Sequence, residues 1–138
     1  MSATNFVRAI LGSVFLAVLA SGCGGLATKK ISPDAVELQQ VFDMYQHFIK
    51  ANGKPPHQLS DIANPRYEGI SPLSVADLKK GNILVVWDIP DKGGGKVLAY
   101  KKEALTGGGP VLMADGSMRE MTAEALKAAV PSAPASKK

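Results

Sequence analysis

With 138 residues and one cysteine, the chain is sized for a single small domain around one core, and it cannot close an internal disulfide. Its formal net charge is +4, from 16 Lys and Arg against 12 Asp and Glu. That excess is mild, and Lys29, Lys30, Lys137 and Lys138 place part of it near the ends, which favours solubility over a nucleic-acid interface.

In chain order, Met1 to Arg8 reads as a short basic n-region, and Ala9 to Ala20 is apolar apart from Gly12 and Ser13. A run of about 12 residues is too short to cross a bilayer, for which a helix needs roughly 20, so the segment is predicted to be a removable signal. It ends in Leu19-Ala20-Ser21-Gly22-Cys23, small residues leading to the lone cysteine. This stretch resembles the lipobox of bacterial lipoproteins, with Leu19 one place further from the cysteine than the family's usual leucine. The resemblance implies cleavage before Cys23, lipidation of Cys23 and anchoring to a membrane. It also implies an envelope location. Gly24 stands where an Asp would direct inner-membrane retention in some bacteria, so the outer membrane is expected, with the domain in the periplasm.

Residues 1–22 are thus read as signal peptide, 23–31 as lipidated tether, 32–130 as the globular domain and 131–138 as a tail with nothing to bury. Ser32 is a predicted N-cap, Pro33 fits the first helical position, and Asp34 and Glu37 suit the positive end of the helix dipole. Leu38, Val41, Phe42, Tyr45, Phe48 and Ile49 recur at three- and four-residue steps as one apolar stripe. Gly53 should end this helix, and His47 falls off its stripe, as a solvated side chain.

Leu59 to Ala63 is expected to make one helical turn that Asn64-Pro65 stops, and Ser74 to cap a short helix ending at Gly81. Strands are expected over Ile83 to Trp87, Val97 to Tyr100, Val111 to Ala114 and Ser117 to Met121. The last two should be joined by Asp115-Gly116 as a type I′ turn, which needs two positive φ angles. Thr122 is then read as the cap of a short helix to about Val130.

The helix running into Gly53-Lys54-Pro55-Pro56, Val97-Leu98-Ala99-Tyr100, and Gly107 to Ser117 together resemble pseudopilin-type globular domains. The nearest family is the prepilin-type one marked by a His, nine residues and Asp-Gly; here Asp115-Gly116 is present and Leu105 stands at the position of the His. The resemblance implies an α+β fold, a long N-terminal helix packed on a three- or four-stranded antiparallel meander with a short C-terminal helix. A lipid anchor would then stand in place of the polymerising helix of prepilins. Major pseudopilins hold calcium in C-terminal loops, and Asp88, Asp91 and Asp115 fall at strand ends, but no position matches a calcium-binding motif and no metal site is expected.

Catalytic patterns are sparse. By the lipobox resemblance Cys23 would be consumed by acylation; no Gly-x-Ser-x-Gly elbow occurs, and His47 and His57 read as ordinary polar residues. Gly93-Gly94-Gly95-Lys96 is followed by Val97 and a strand, so it reads as a turn and not a phosphate loop. The expectation is a non-enzymatic envelope lipoprotein without cofactor. Its partners would be the membrane through Cys23 and an envelope protein, with no nucleic acid. The alternative is an accessory of a type II secretion or type IV pilus-like machine.

Overall fold

The computed structural model describes residues 32–91 and 93–130. The expected signal segment, the expected tether with Cys23 and the tail 131–138 lie outside the described residues. The first element, α1 (Pro33–Asn52), opens on Ser32, whose hydroxyl accepts from the Ala35 N–H at 3.2 Å. Gly53 closes it, donating its N–H to the Ile49 carbonyl at 2.7 Å. Leu38, Val41, Met44 and Tyr45 are its buried residues, with Phe42, Phe48 and Ile49 packed partly buried beside them. This is one continuous face, as helical periodicity requires.

Three short helices follow: α2 (Leu59–Ile62), α3 (Pro65–Glu68) and α4 (Pro72–Lys80). Two expectations are corrected in this stretch. Asn64-Pro65 ends α2 but also starts α3, because the Asn64 side chain accepts from the Arg66 N–H at 3.1 Å and Pro65 takes the first helical position. Ser74 is not a cap: α4 begins at Pro72, and Ser74 is fully buried within it, its hydroxyl 2.6 Å from Gln40 Oε1.

Strands β1 (Ile83–Val85), β2 (Val97–Lys101), β3 (Gly109–Met113) and β4 (Met118–Met121) form a four-stranded antiparallel sheet in the order β1-β2-β3-β4. With α5 (Ala104–Gly107) and α6 (Ala123–Ala129), the described residues make an α+β fold of six helices and one sheet. One sheet face, with Ile83, Leu98, Ala99 and Leu112, packs on the core side chains of α1 to α4. The other face, with Val97, Tyr100, Val111 and Met113, is covered by Ala104, Leu126 and Val130.

A register shift between Val97 and Ala99 places Leu98 and Ala99 on the same face. Since side chains alternate along a strand, this bulge inverts the facing of everything after it. Tyr100 joins the α5–α6 core, and Lys101 turns to the α1–α4 side.

The first predicted strand ends early. Trp87 and Asp88 lie in a turn, Asp88 adopts a left-handed φ of 63°, and its N–H donates to the Pro56 carbonyl at 3.1 Å. Beyond it, the Tyr45 hydroxyl donates to the Ile89 carbonyl at 3.0 Å and accepts from the Ile89 N–H at 2.9 Å. Burial pushes the Tyr45 pKa up to about 12, against the opposing effect of the Ile89 hydrogen bond. Tyr45→Phe strips both partners from one buried backbone unit and is expected to cost about 2 kcal/mol. Urea unfolding measures this, and a loss below about 0.5 kcal/mol would mean the loop satisfies itself without the hydroxyl.

The β3–β4 hairpin also departs from expectation. Only Gly116 has positive φ, at 81°; Asp115 does not. The Gly116 N–H bonds the Met113 carbonyl at 3.0 Å and the Met113 N–H bonds the Ser117 carbonyl at 2.9 Å. The loop is therefore three residues, Ala114 to Gly116, a turn closed by a left-handed glycine and not a two-residue type I′ turn. Ala114 leaves the strand to join the α1-side core. The Asp115 carboxylate accepts from the Ser117 hydroxyl and N–H, which holds its pKa below the ordinary value.

Candidate functional site

Among the described residues, the sheet leaves β4 with one neighbour, β3, so one side of β4 is a free edge. Helix α1 crosses the same face of the sheet, and between them runs a groove of about 570 Å³. Ala35, Val36, Gln39 and Asp43 line it from α1, and Pro110, Met118, Arg119 and Glu120 line it from the sheet. The placement follows from two contacts. Phe42 packs its ring directly over Gly116, where the absent Cβ leaves room, and Met118 packs beside the α1 core. These hold the hairpin end of β4 against α1. Ser32, the N-cap, lines the groove as well.

The lining mixes apolar surface with the acidic residues Asp43 and Glu120, with Arg119 and with two glutamines. Val36 is 46% exposed, one of three exposed large apolar side chains among the described residues, with Ile70 and Leu73. Such a surface beside an unpaired strand edge suits an extended peptide, which can pair its backbone with the edge and seat alternate side chains.

A charged cluster stands behind the groove. Lys101, only 11% exposed at its side chain, bonds the Glu37 carboxylate of α1 and lies 2.8 Å from Asp77 Oδ2 of α4, with Asp34 at 3.9 Å. Burial works against the Lys101 ammonium, yet its hydrogen bonds to Asp77 and Glu37 outweigh that and raise its pKa. The same bond from Lys101 holds the Asp77 carboxyl below its ordinary range. This cluster ties α1, α4 and β2 at one point and so sets where α1 lies over the sheet. Lys101 did not stand out in the sequence, and of the groove residues only Ser32 did, as a helix cap. The only signal of the groove itself was the alternation of Met118 and Glu120 with Arg119 and Met121, which does not say what lies over either face.

The two histidines occupy separate surroundings. His47 Nδ1 lies 3.0 Å from the Tyr67 hydroxyl, with the rings edge to face at 5.7 Å. His57 pairs with Asp88 at the surface, and its N–H donates to Asp61 Oδ2 at 2.8 Å. Asp88 and Asp115 are thus engaged locally, with His57 and Ser117. No group of three His, Cys, Asp or Glu side chains able to hold a metal ion occurs among the described residues. Gly93 to Lys96 forms a turn before β2, the Lys96 N–H bonding the Gly93 carbonyl at 3.1 Å. Cys23, the expected lipidation site, lies outside the described residues. Compared with known proteins, the chain matches no family model, no curated protein and no solved structure.

Proposed function

We propose that this chain is a cell-envelope lipoprotein, anchored to a membrane by lipid at Cys23, whose domain offers a non-catalytic binding surface in the groove between α1 and β4. The observation that carries the reading is positional. The groove begins at Ser32, nine residues after the cysteine that ends the lipobox-like stretch, so an anchored chain would hold its binding face beside the tether. Its lining suits a protein segment better than nucleic acid, because Asp43 and Glu120 outnumber Arg119. Among the described residues no helix is long and apolar enough to cross a membrane. The domain would face the periplasm, with the outer membrane favoured by Gly24.

A second reading, an accessory of a type II secretion or type IV pilus-like machine, is favoured by one observation. The four strands follow α1 as a consecutive antiparallel meander, the layout that the resemblance to prepilin-type domains implies. Recovery of secretion-machine components with the anchored protein would favour it.

The lipid anchor is tested by mass. The N-terminal peptide of the mature protein is expected to begin at Cys23 and carry diacylglycerol with a further acyl chain, since one chain holds a membrane only marginally and stable anchoring takes more. Cys23→Ser should lose the lipid and remain uncleaved. Recovery of an unmodified wild-type peptide joining Phe15 and Leu16 through Cys23 would refute the reading.

A further inference from the structure

The groove has a candidate occupant within the chain itself. We propose that the tether segment Ala27-Thr28-Lys29-Lys30-Ile31, outside the described residues, docks into the groove between α1 and the free edge of β4.

Three observations converge on it. The first is where the described chain starts: Ser32 is both the cap of α1 and a lining residue, with extended φ and ψ of −67° and 147°, so the preceding residues emerge at the groove itself. The second is apolar. With Ser32 as cap, Ile31 holds the position before the cap and Val36 the fourth position of the helix, the pair that packs together when a hydrophobic staple fixes the chain's approach to a helix. Val36 is half-exposed and lines the groove, ready for that contact.

The third is charge. The groove presents the exposed carboxylates of Asp43 and Glu120 against the single Arg119, and the tether brings Lys29 and Lys30. Length permits the match: five extended residues span about 17 Å, against about 13 Å for the four-residue edge of β4. The edge also supplies backbone partners that the tether's own N–H and C=O groups can take.

Docking has a consequence for the proposed binding role. A partner segment entering the groove must displace the tether, so capture of the partner lengthens the leash between the domain and its anchor. The docking itself does not depend on lipid. An unlipidated Cys23 would leave it standing, and an undocked tether would leave the lipoprotein reading standing.

Hydrogen exchange on the full chain tests it, read on peptides covering 27–31 and 118–121. Both are expected to exchange at least about tenfold more slowly than an unstructured reference, because docking energies of a kcal/mol or two correspond to factors of that size. Asp43→Lys with Glu120→Lys should return 27–31 to the reference rate while the domain stays folded, its melting temperature falling by no more than the lost docking accounts for, since both side chains are exposed. Adding Lys29→Glu and Lys30→Glu to that variant should restore protection. Ile31→Ser, which removes the apolar partner proposed for Val36, should weaken it. Exchange of 27–31 at the reference rate in the wild-type chain would overturn the proposal. So would protection that fades on dilution, which would mark a second copy in the groove, or charge reversal without effect and without rescue.

Discussion

Lys101→Met is expected to cost about 3 kcal/mol at neutral pH, because it leaves Glu37 and Asp77 facing each other in a site from which water is largely excluded. The figure sits at the low end for breaking a buried pair, since both carboxylates keep 23% of their side-chain exposure. The pH dependence follows from the directions of the shifts. Asp77 has a folded pKa below its unfolded value of 3.8, so its contribution is present above that value and is lost as pH falls through the folded one. Lys101 is raised above 10.5, so its contribution is fully present below 10.5 and is lost as pH rises through the folded value. The deficit of the variant should therefore be full at pH 7 and shrink at about pH 3, below 3.8 and towards the folded value of Asp77, where its contribution in the parent protein is being lost. Urea unfolding of both proteins at the two pH values measures it. Removing the stranded charges as well, with Glu37→Gln and Asp77→Asn, should recover most of the loss, as an uncharged set of similar shape often does. An equal deficit at both pH values, unrelieved in the triple variant, would show that Lys101 acts only by packing its aliphatic stem.

Gly116→Val is expected to cost about 2 to 5 kcal/mol, from two sources that can be separated. The position has a φ of 81°, where a side chain costs roughly 1–2 kcal/mol and a β-branched one the most. A Cβ there would also lie 2.8 Å and 2.9 Å from two atoms of the Phe42 ring, and forcing a packed ring aside costs about 1–3 kcal/mol. In a double-mutant cycle with Phe42→Ala, the contact part should vanish and the backbone part remain. If Gly116→Val left the melting temperature unchanged, neither the left-handed turn nor the close approach of α1 to the hairpin would hold. Because Phe42 over Gly116 keeps α1 close to the β4 hairpin, the variant should also open the groove at that end.

Much of the domain was legible because the relevant information is local. The extent and buried face of α1 followed from Ser32, Pro33 and Gly53 and from apolar residues at three- and four-residue steps, interactions that act within one or two turns. Thr122 as a cap was readable for the same reason, and its hydroxyl accepts from the Ala125 N–H at 3.2 Å. The short pieces were less legible. Asn64-Pro65 serves equally well to end one helical turn and to begin the next, and Ser74 has the side chain of a cap but was recruited as a buried partner for Gln40.

What the sequence determined by itself was therefore the order and approximate place of the strands, the first and last helices, and a glycine-dependent turn at residue 116. The tertiary structure alone decided which way β2 faces. Its five residues are all buried, between α1 on one side and α5 and α6 on the other, so no alternation of polar and apolar residues remained to be read. The bulge at Leu98 and Ala99 is chosen by the partner strand β3 and by the volumes of the two cores, and that one-residue shift turns Lys101 towards Glu37 and Asp77. The groove is decided at the same level. It exists because α1 is held by Lys101 at one point and by Phe42 over Gly116 at another, contacts between residues 64 and 74 positions apart in the chain, beyond the reach of any local pattern.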